Sequence, residues 1–93
     1  MRTIRRSSEF KRDYKREARG RRAGELASVL EEILEALAED RPLDRKYADH
    51  PLSGAFKGYR DCHVFPDLVL IYKKQGPDEL YLARLGSHSE LFD

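Results

Sequence analysis

The sequence predicts an α+β fold of β-α-α-β-β-β order, with two helices packed on a twisted antiparallel sheet and a short C-terminal helical turn. Three observations predict it. Apolar residues recur at helical spacing through the first half of the chain. Beyond Ala55 the periodicity changes to that of strands. The later segments are joined by short links, which suit antiparallel neighbours and not the long crossovers of parallel ones. A length of 93 residues supports a single domain over 1–93 with one modest core.

Arg2 to Arg6, with Thr3 and Ile4, reads as a brief first strand. Ser7 or Ser8 then caps a helix by accepting from free backbone N–H groups, and Glu9 complements the dipole in its first turn. Phe10, Tyr14 and Ala18 give that basic helix a narrow apolar stripe, and Gly20 ends it. The second helix is the clearest element. Leu26, Val29, Leu30, Ile33, Leu34 and Leu37 mark its buried face, opposite Glu25, Glu31, Glu32, Glu35 and Glu39. Asp40-Arg41-Pro42 stops it, because proline disfavours a helical residue before it. The short glycine-containing link makes the two helices an antiparallel hairpin.

Leu43 to Leu52 is a loop anchored by Tyr47. A strand is expected from Ala55 to Phe65, started by Phe56, with Gly58 at a bulge or close approach. Pro66-Asp67 turns the chain. Leu68 to Tyr72 is a β-prone run suited to a central strand buried on both faces. Lys73 to Asp78, with Gly76-Pro77, is a hairpin loop, and Glu79 to Leu85 alternates as a last strand. Gly86 breaks it. Ser87-His88-Ser89-Glu90 matches a capping box, so a final helical turn carries His88, Leu91 and Phe92.

Charged residues make up 38% of the chain, well above the usual quarter. The net charge of +1 hides a division. Residues 1–22 hold ten Lys or Arg against three acids, and residues 23–50 hold eight acids against three bases. Such halves suit either a polyanion-binding face or one basic helix beside an acidic one. A single cysteine excludes an internal disulfide and fits a reducing cytosol. No early apolar run resembles a signal peptide, and Leu68–Tyr72 is far too short to cross a bilayer. A soluble, cytoplasmic protein without a membrane partner is expected.

The stretch DHPLSGAFKGYRDCHVFPD, Asp49 to Asp67, concentrates the candidate chemistry. Asp61 and His63 lie two apart on a strand and share one face, while Val64 turns to the core. A carboxylate beside an imidazole favours its charged form and fixes its tautomer. A merely structural surface pair fits the spacing equally well. His50 precedes the sheet and His88 follows its last strand, so all three histidines can converge at one edge. A metal site ranks second, because no H-x-x-x-H or C-x-x-C spacing supports it. Imidazoles and carboxylates suit general acid–base work near neutral pH. Lys57 and Arg60 can neutralise a phosphate. Lys11, Lys15 and Arg16 can follow a nucleic-acid backbone. Together these fit RNA cleavage needing neither metal nor cofactor, in which a base activates a ribose 2′-OH and an acid protonates the leaving 5′ oxygen.

Three groups of residues carry a family resemblance: S-x-x-F-x-x-D-x-K from Ser7, D-H-x-L-x-G with G-Y-R-D-x-H-x-x-P-D from Asp49 to Asp67, and LARLGSHSELF at the end. In combination they resemble the YafQ branch of the RelE/ParE toxin superfamily over nearly the whole chain. The resemblance implies a bacterial type II toxin that cuts mRNA in the A site of the 70S ribosome. It also implies neutralisation by a cognate antitoxin, with operator DNA bound only through that antitoxin. It implies a catalytic set of His50, Asp61, His63, Asp67, His88 and Phe92, with His88 and Asp67 as the proton-transfer pair. His50 and His63 would stabilise phosphate charge or share proton transfer, and Phe92 would stack on a base. Related chains often carry Trp where Phe56 and Leu68 stand here. The alternatives are a ParE-like toxin that is not a nuclease, or a catalytically silent partner of an antitoxin. Codon preference is not legible.

Overall fold

Ser7 sets the first helix. In this computed structural model, which describes residues 1–92, its hydroxyl accepts from the Phe10 N–H at 2.9 Å and donates to the Ala83 carbonyl at 2.6 Å. The cap therefore starts α1 (Ser8–Glu17) and pins it to the last strand. Asp13, on the buried side of α1, accepts from Arg84 Nε at 2.8 Å and from the Leu85 N–H at 2.9 Å. Burial works to raise its carboxyl. The Arg84 and Leu85 hydrogen bonds and the charges of Arg84 and Arg16 outweigh it and hold the group below the ordinary range.

The helix closes at Ala18, ahead of the predicted Gly20. The second, α2 (Ala23–Ala38), buries Leu26, Leu30, Ile33, Ala36, Leu37 and Ala38. Val29 and Leu34 flank that stripe and are only partly covered. Asp40 ends the helical region in the left-handed conformation, φ 57°. Its carboxyl, bound by Lys74 and Arg2, is lowered to about 2.

The sheet runs β1-β5-β4-β3-β2. One pairing departs from the expected antiparallel pattern: β1 (Thr3–Arg6) lies parallel to β5 (Glu79–Gly86), with Thr3 opposite Glu79. The intervening helices and strands give the chain ample length to return in the same direction, which a hairpin could not do. A two-residue strand absent from the sequence reading, β2 (His50–Pro51), pairs antiparallel with β3 (Arg60–Phe65). That third strand starts five residues later than predicted. Gly54 (φ 67°) and Gly58 (φ 93°) turn the backbone through the left-handed region, so Phe56 sits in a 3-10 turn instead of opening the strand. β4 (Leu68–Gln75) is central, and α3 (His88–Phe92) follows β5.

Two apolar layers flank the sheet. Phe10, Leu26, Leu30, Ile33 and Leu37 pack under the helices against Cys62, Val64, Leu70, Tyr72, Leu80, Leu82 and Leu85. The opposite face has a smaller cluster of Val69, Ile71 and Leu91, bordered by Leu52, Phe56, Tyr59 and Ala83. Leu68 to Tyr72 is thus buried from both sides, as its continuous apolar run predicts. Among the described residues no helix is long and apolar enough to cross a membrane.

Candidate active site

Strand register brings the first two site residues together. His50 on β2 stands opposite Asp61 on β3. Asp61 is in turn opposite Ile71, and His63 opposite Val69. Paired residues point to one side, so Asp61 and His63 lie on the small-core face, away from α1 and α2. The capping box predicted for the C-terminal turn forms: the Ser87 N–H donates to Glu90 Oε1 at 2.8 Å, and the Glu90 N–H to Ser87 Oγ at 3.2 Å. It holds His88 at the start of α3. The ring centroids of His50 and His63 are 6.5 Å apart, those of His63 and His88 5.2 Å, and those of His88 and Phe92 5.5 Å.

Asp61 lies beneath this row at 1% exposure. His50 Nδ1 is 3.1 Å from Asp61 Oδ1, but its hydrogen is aimed at the Ala48 carbonyl, 2.8 Å away, and Oδ1 has no hydrogen-bond partner. Ala48 adopts φ 49°, a turn that presents that carbonyl. Since a carbonyl only accepts, Nδ1 carries the hydrogen and Nε2 of neutral His50 is the free acceptor. Burial raises the Asp61 carboxyl. The charges of His50, His63 and His88 pull it back and Asp49 pushes it up, leaving it above the ordinary range. It is a buried acid surrounded by three imidazoles.

A supporting network was not visible in the sequence. Asp49 accepts from the buried Tyr72 hydroxyl and from Arg60 through Nε at 3.3 Å and Nη2 at 3.2 Å. Burial and this carboxylate push the Tyr72 phenol up. The network fixes the backbone next to His50 and holds Arg60, whose side chain is still 42% exposed, at the rim. Adjacency to His50 was the only hint that Asp49 mattered. Lys57 is exposed at the end of the Gly54–Phe56 turn.

Four expected site residues lie elsewhere. The pairing shifts between His63 and Phe65, breaking the alternation. Asp67 consequently faces the α1–α2 link, where Arg21 Nη2 at 2.5 Å and Arg22 Nη2 at 3.1 Å bind it. The Arg21 hydrogen bond leads in holding its carboxyl below the usual range. Arg22 also stacks on Phe65 at 4.4 Å. In this conformation Asp67 is engaged by guanidinium groups and not by an imidazole. Lys11 and Lys15 sit on the helical layer, lining a groove shared with Leu30, Glu31, Leu34 and Glu35 of α2. Arg16 is committed internally: it donates to the Leu85 carbonyl at 3.1 Å and pairs with Asp13, Glu17 and Glu90. It braces the base of α3 and is not a free cation for RNA. Among the described residues, no three His, Cys, Asp or Glu side chains are grouped closely enough to hold a metal ion.

Two helices on a five-stranded sheet, with a histidine row over a buried carboxylate on the opposite face, define a small α+β domain with a candidate acid–base site. The chain belongs to the YafQ family, described as the bacterial toxin of type II toxin–antitoxin systems, whose model matches residues 2–93. It is 54% identical over 52 residues to the mRNA interferase toxin YafQ of Escherichia coli K12, covering 55% of this chain and 54% of that protein. The match thus spans about half the length of that curated relative. Solved structures agree over the full fold. A metal-bound toxin from Helicobacter pylori superposes with a TM-score of 0.87 at 43% identity, covering 99% of this chain and 100% of that one. YafQ in the E. coli DinJ–YafQ complex superposes with a TM-score of 0.81 at 35% identity, covering 100% of both chains.

Proposed function

We propose that this chain is an mRNA endonuclease that acts on the ribosome, inhibits translation and is held inactive by a cognate antitoxin. The observation that carries the reading is the row of three imidazoles above buried Asp61. His50 offers Nε2 to the proton of a ribose 2′-OH. The 2′ oxygen attacks phosphorus as the bond to the 5′ oxygen breaks, and His88 in its charged form returns a proton to that oxygen. One proton is taken up and one released, leaving a 2′,3′-cyclic phosphate and a 5′-hydroxyl. His63, between the two, and Arg60 and Lys57 at the rim offset phosphate charge. Phe92, exposed beside His88, stacks on a base. Asp67 joins the proton transfer only when it leaves Arg21 and Arg22.

The partner reading is supported by the E. coli relative, solved as DinJ–YafQ. Ribosome and message are assigned on the chemistry above and on the exposed cations Lys11 and Lys15 of α1. Operator DNA is contacted only through the antitoxin. The test is cleavage of message in a translating extract. The unaltered chain should cut it, with or without a chelator selective for transition metals that leaves ribosomal Mg2+ in place, and His88→Ala should not. Intact message with the unaltered chain, or loss of cutting with chelator, overturns the reading.

A further inference from the structure

The row of rings does not stop at the residues needed for chemistry. Beyond His88 and Phe92 it continues to Phe56, 5.8 Å from Phe92 and edge-on at 80°, and then to Tyr59, 6.1 Å from Phe56 at 83°. Lys73 Nζ stands 4.9 Å from the Tyr59 ring centroid. Lys57, on the same loop, is exposed. These residues come from three places: the turn folded by Gly54 and Gly58, the far half of β4, and α3. Phe56 and Tyr59 border the small-core face that carries the histidines. Phe92 is 40% exposed, one of only three large apolar side chains exposed among the described residues. Proton transfer at the scissile phosphate uses the imidazoles, and Phe56, Tyr59 and Lys73 have no part in it.

Aromatic rings interleaved with lysines bind single-stranded nucleic acid by stacking bases while cations meet the backbone. We infer that Phe56, Tyr59 and Lys73, with the open side of Phe92, form a second nucleotide subsite for single-stranded RNA. This rests on the nuclease reading and extends it. A base next to those at the scissile bond stacks at the Phe92–Phe56–Tyr59 end, and its phosphate meets Lys73. Because every base has a π face, the subsite tolerates sequence and favours purines over pyrimidines by stacking strength. It therefore contributes grip rather than base-edge readout.

The test uses the full chain and fluorescein-labelled six-nucleotide RNAs, purine or pyrimidine, fully 2′-O-methylated so that the attacking hydroxyl is blocked. Anisotropy at low salt should show binding that Tyr59→Ala weakens by about five- to a hundredfold. Lys73→Gln should reduce the slope of log affinity against log salt by about one. Phe56→Leu, which preserves an apolar filler in the small core, should also weaken binding, with circular dichroism unchanged. Affinities within twofold of the unaltered chain for both Tyr59→Ala and Lys73→Gln overturn the subsite, as does absence of binding by the unaltered chain. Variants that lose antitoxin affinity but keep RNA affinity also overturn it, marking the patch as a protein contact. If the unaltered chain cuts message while these variants cut at the same KM and kcat, only the subsite falls. If the unaltered chain cuts nothing, the nuclease reading itself falls.

Discussion

Replacing Asp61 by Asn should make the protein more stable and less active. The carboxylate is 1% exposed and its Oδ1 lacks a hydrogen-bond partner. A charged group left in that state costs at least about 1–3 kcal/mol. An amide of nearly the same shape removes the charge and should recover on the order of 1 kcal/mol at pH 8. For a domain of this size that is a rise in Tm of about 4–8 °C. The sign follows from linkage. Burial raises the folded carboxyl above its ordinary 3.8, so the native protein holds that proton more tightly than the unfolded chain. Its contribution to stability falls as pH rises through the interval between those two values, and the full penalty persists above it. The advantage of Asn is therefore greatest at pH 8 and disappears below about pH 4. Cleavage of message should fall about a hundredfold, the scale of a general acid–base contribution. Thermal melts at pH 8 and pH 4, beside end-mapped cleavage in a translating extract, measure both. A lower Tm at pH 8, or undiminished cleavage, would refute the view that this carboxylate is kept for catalysis at the expense of stability.

Asp67 and Asp13 are open to the same kind of experiment. Asp67→Asn breaks a pairing of exposed groups, so the urea midpoint should barely move while cleavage drops at least about tenfold; Arg21→Ala should leave cleavage intact or faster. Should Arg21→Ala reproduce the loss, Asp67 serves only to tie the turn to the helix link. Asp13→Ala strands Arg84 and the Leu85 N–H and should cost about 3–5 kcal/mol in urea unfolding at pH 7. Because the Asp13 carboxyl is depressed in the fold, its stabilisation is present above about 3.8 and is lost as pH falls through the folded value. The unaltered chain should thus weaken in that acid window more than the variant, and equal acid sensitivity would argue against the assignment.

The helices, the central strand and the Ser87 cap were legible because each rests on local signals: apolar spacing, a hydroxyl at a helix start, a continuous β-prone run. What escaped were features set by distant partners. The parallel seat of β1 depends on the exposed edge of β5, which no residue in 3–6 announces. The two-residue β2 is too short for any periodicity, yet it alone places His50 opposite Asp61. The three imidazoles were recognisable from their positions around the sheet, and the strand register accounts for two of them. The placement of Asp67 was not, because a shift in pairing after His63 reverses the expected side. Arg16 read as a free cation because two of its four partners, Leu85 and Glu90, lie about seventy residues away.

The seat of β1 also orders events during synthesis. Thr3 to Arg6 has no β partner until Glu79 to Leu82 has left the ribosome, and His88 emerges only a few residues later. The outermost strand and the last imidazole are thus completed almost together. A nascent chain cannot complete the row of three imidazoles until its translation has passed codon 88.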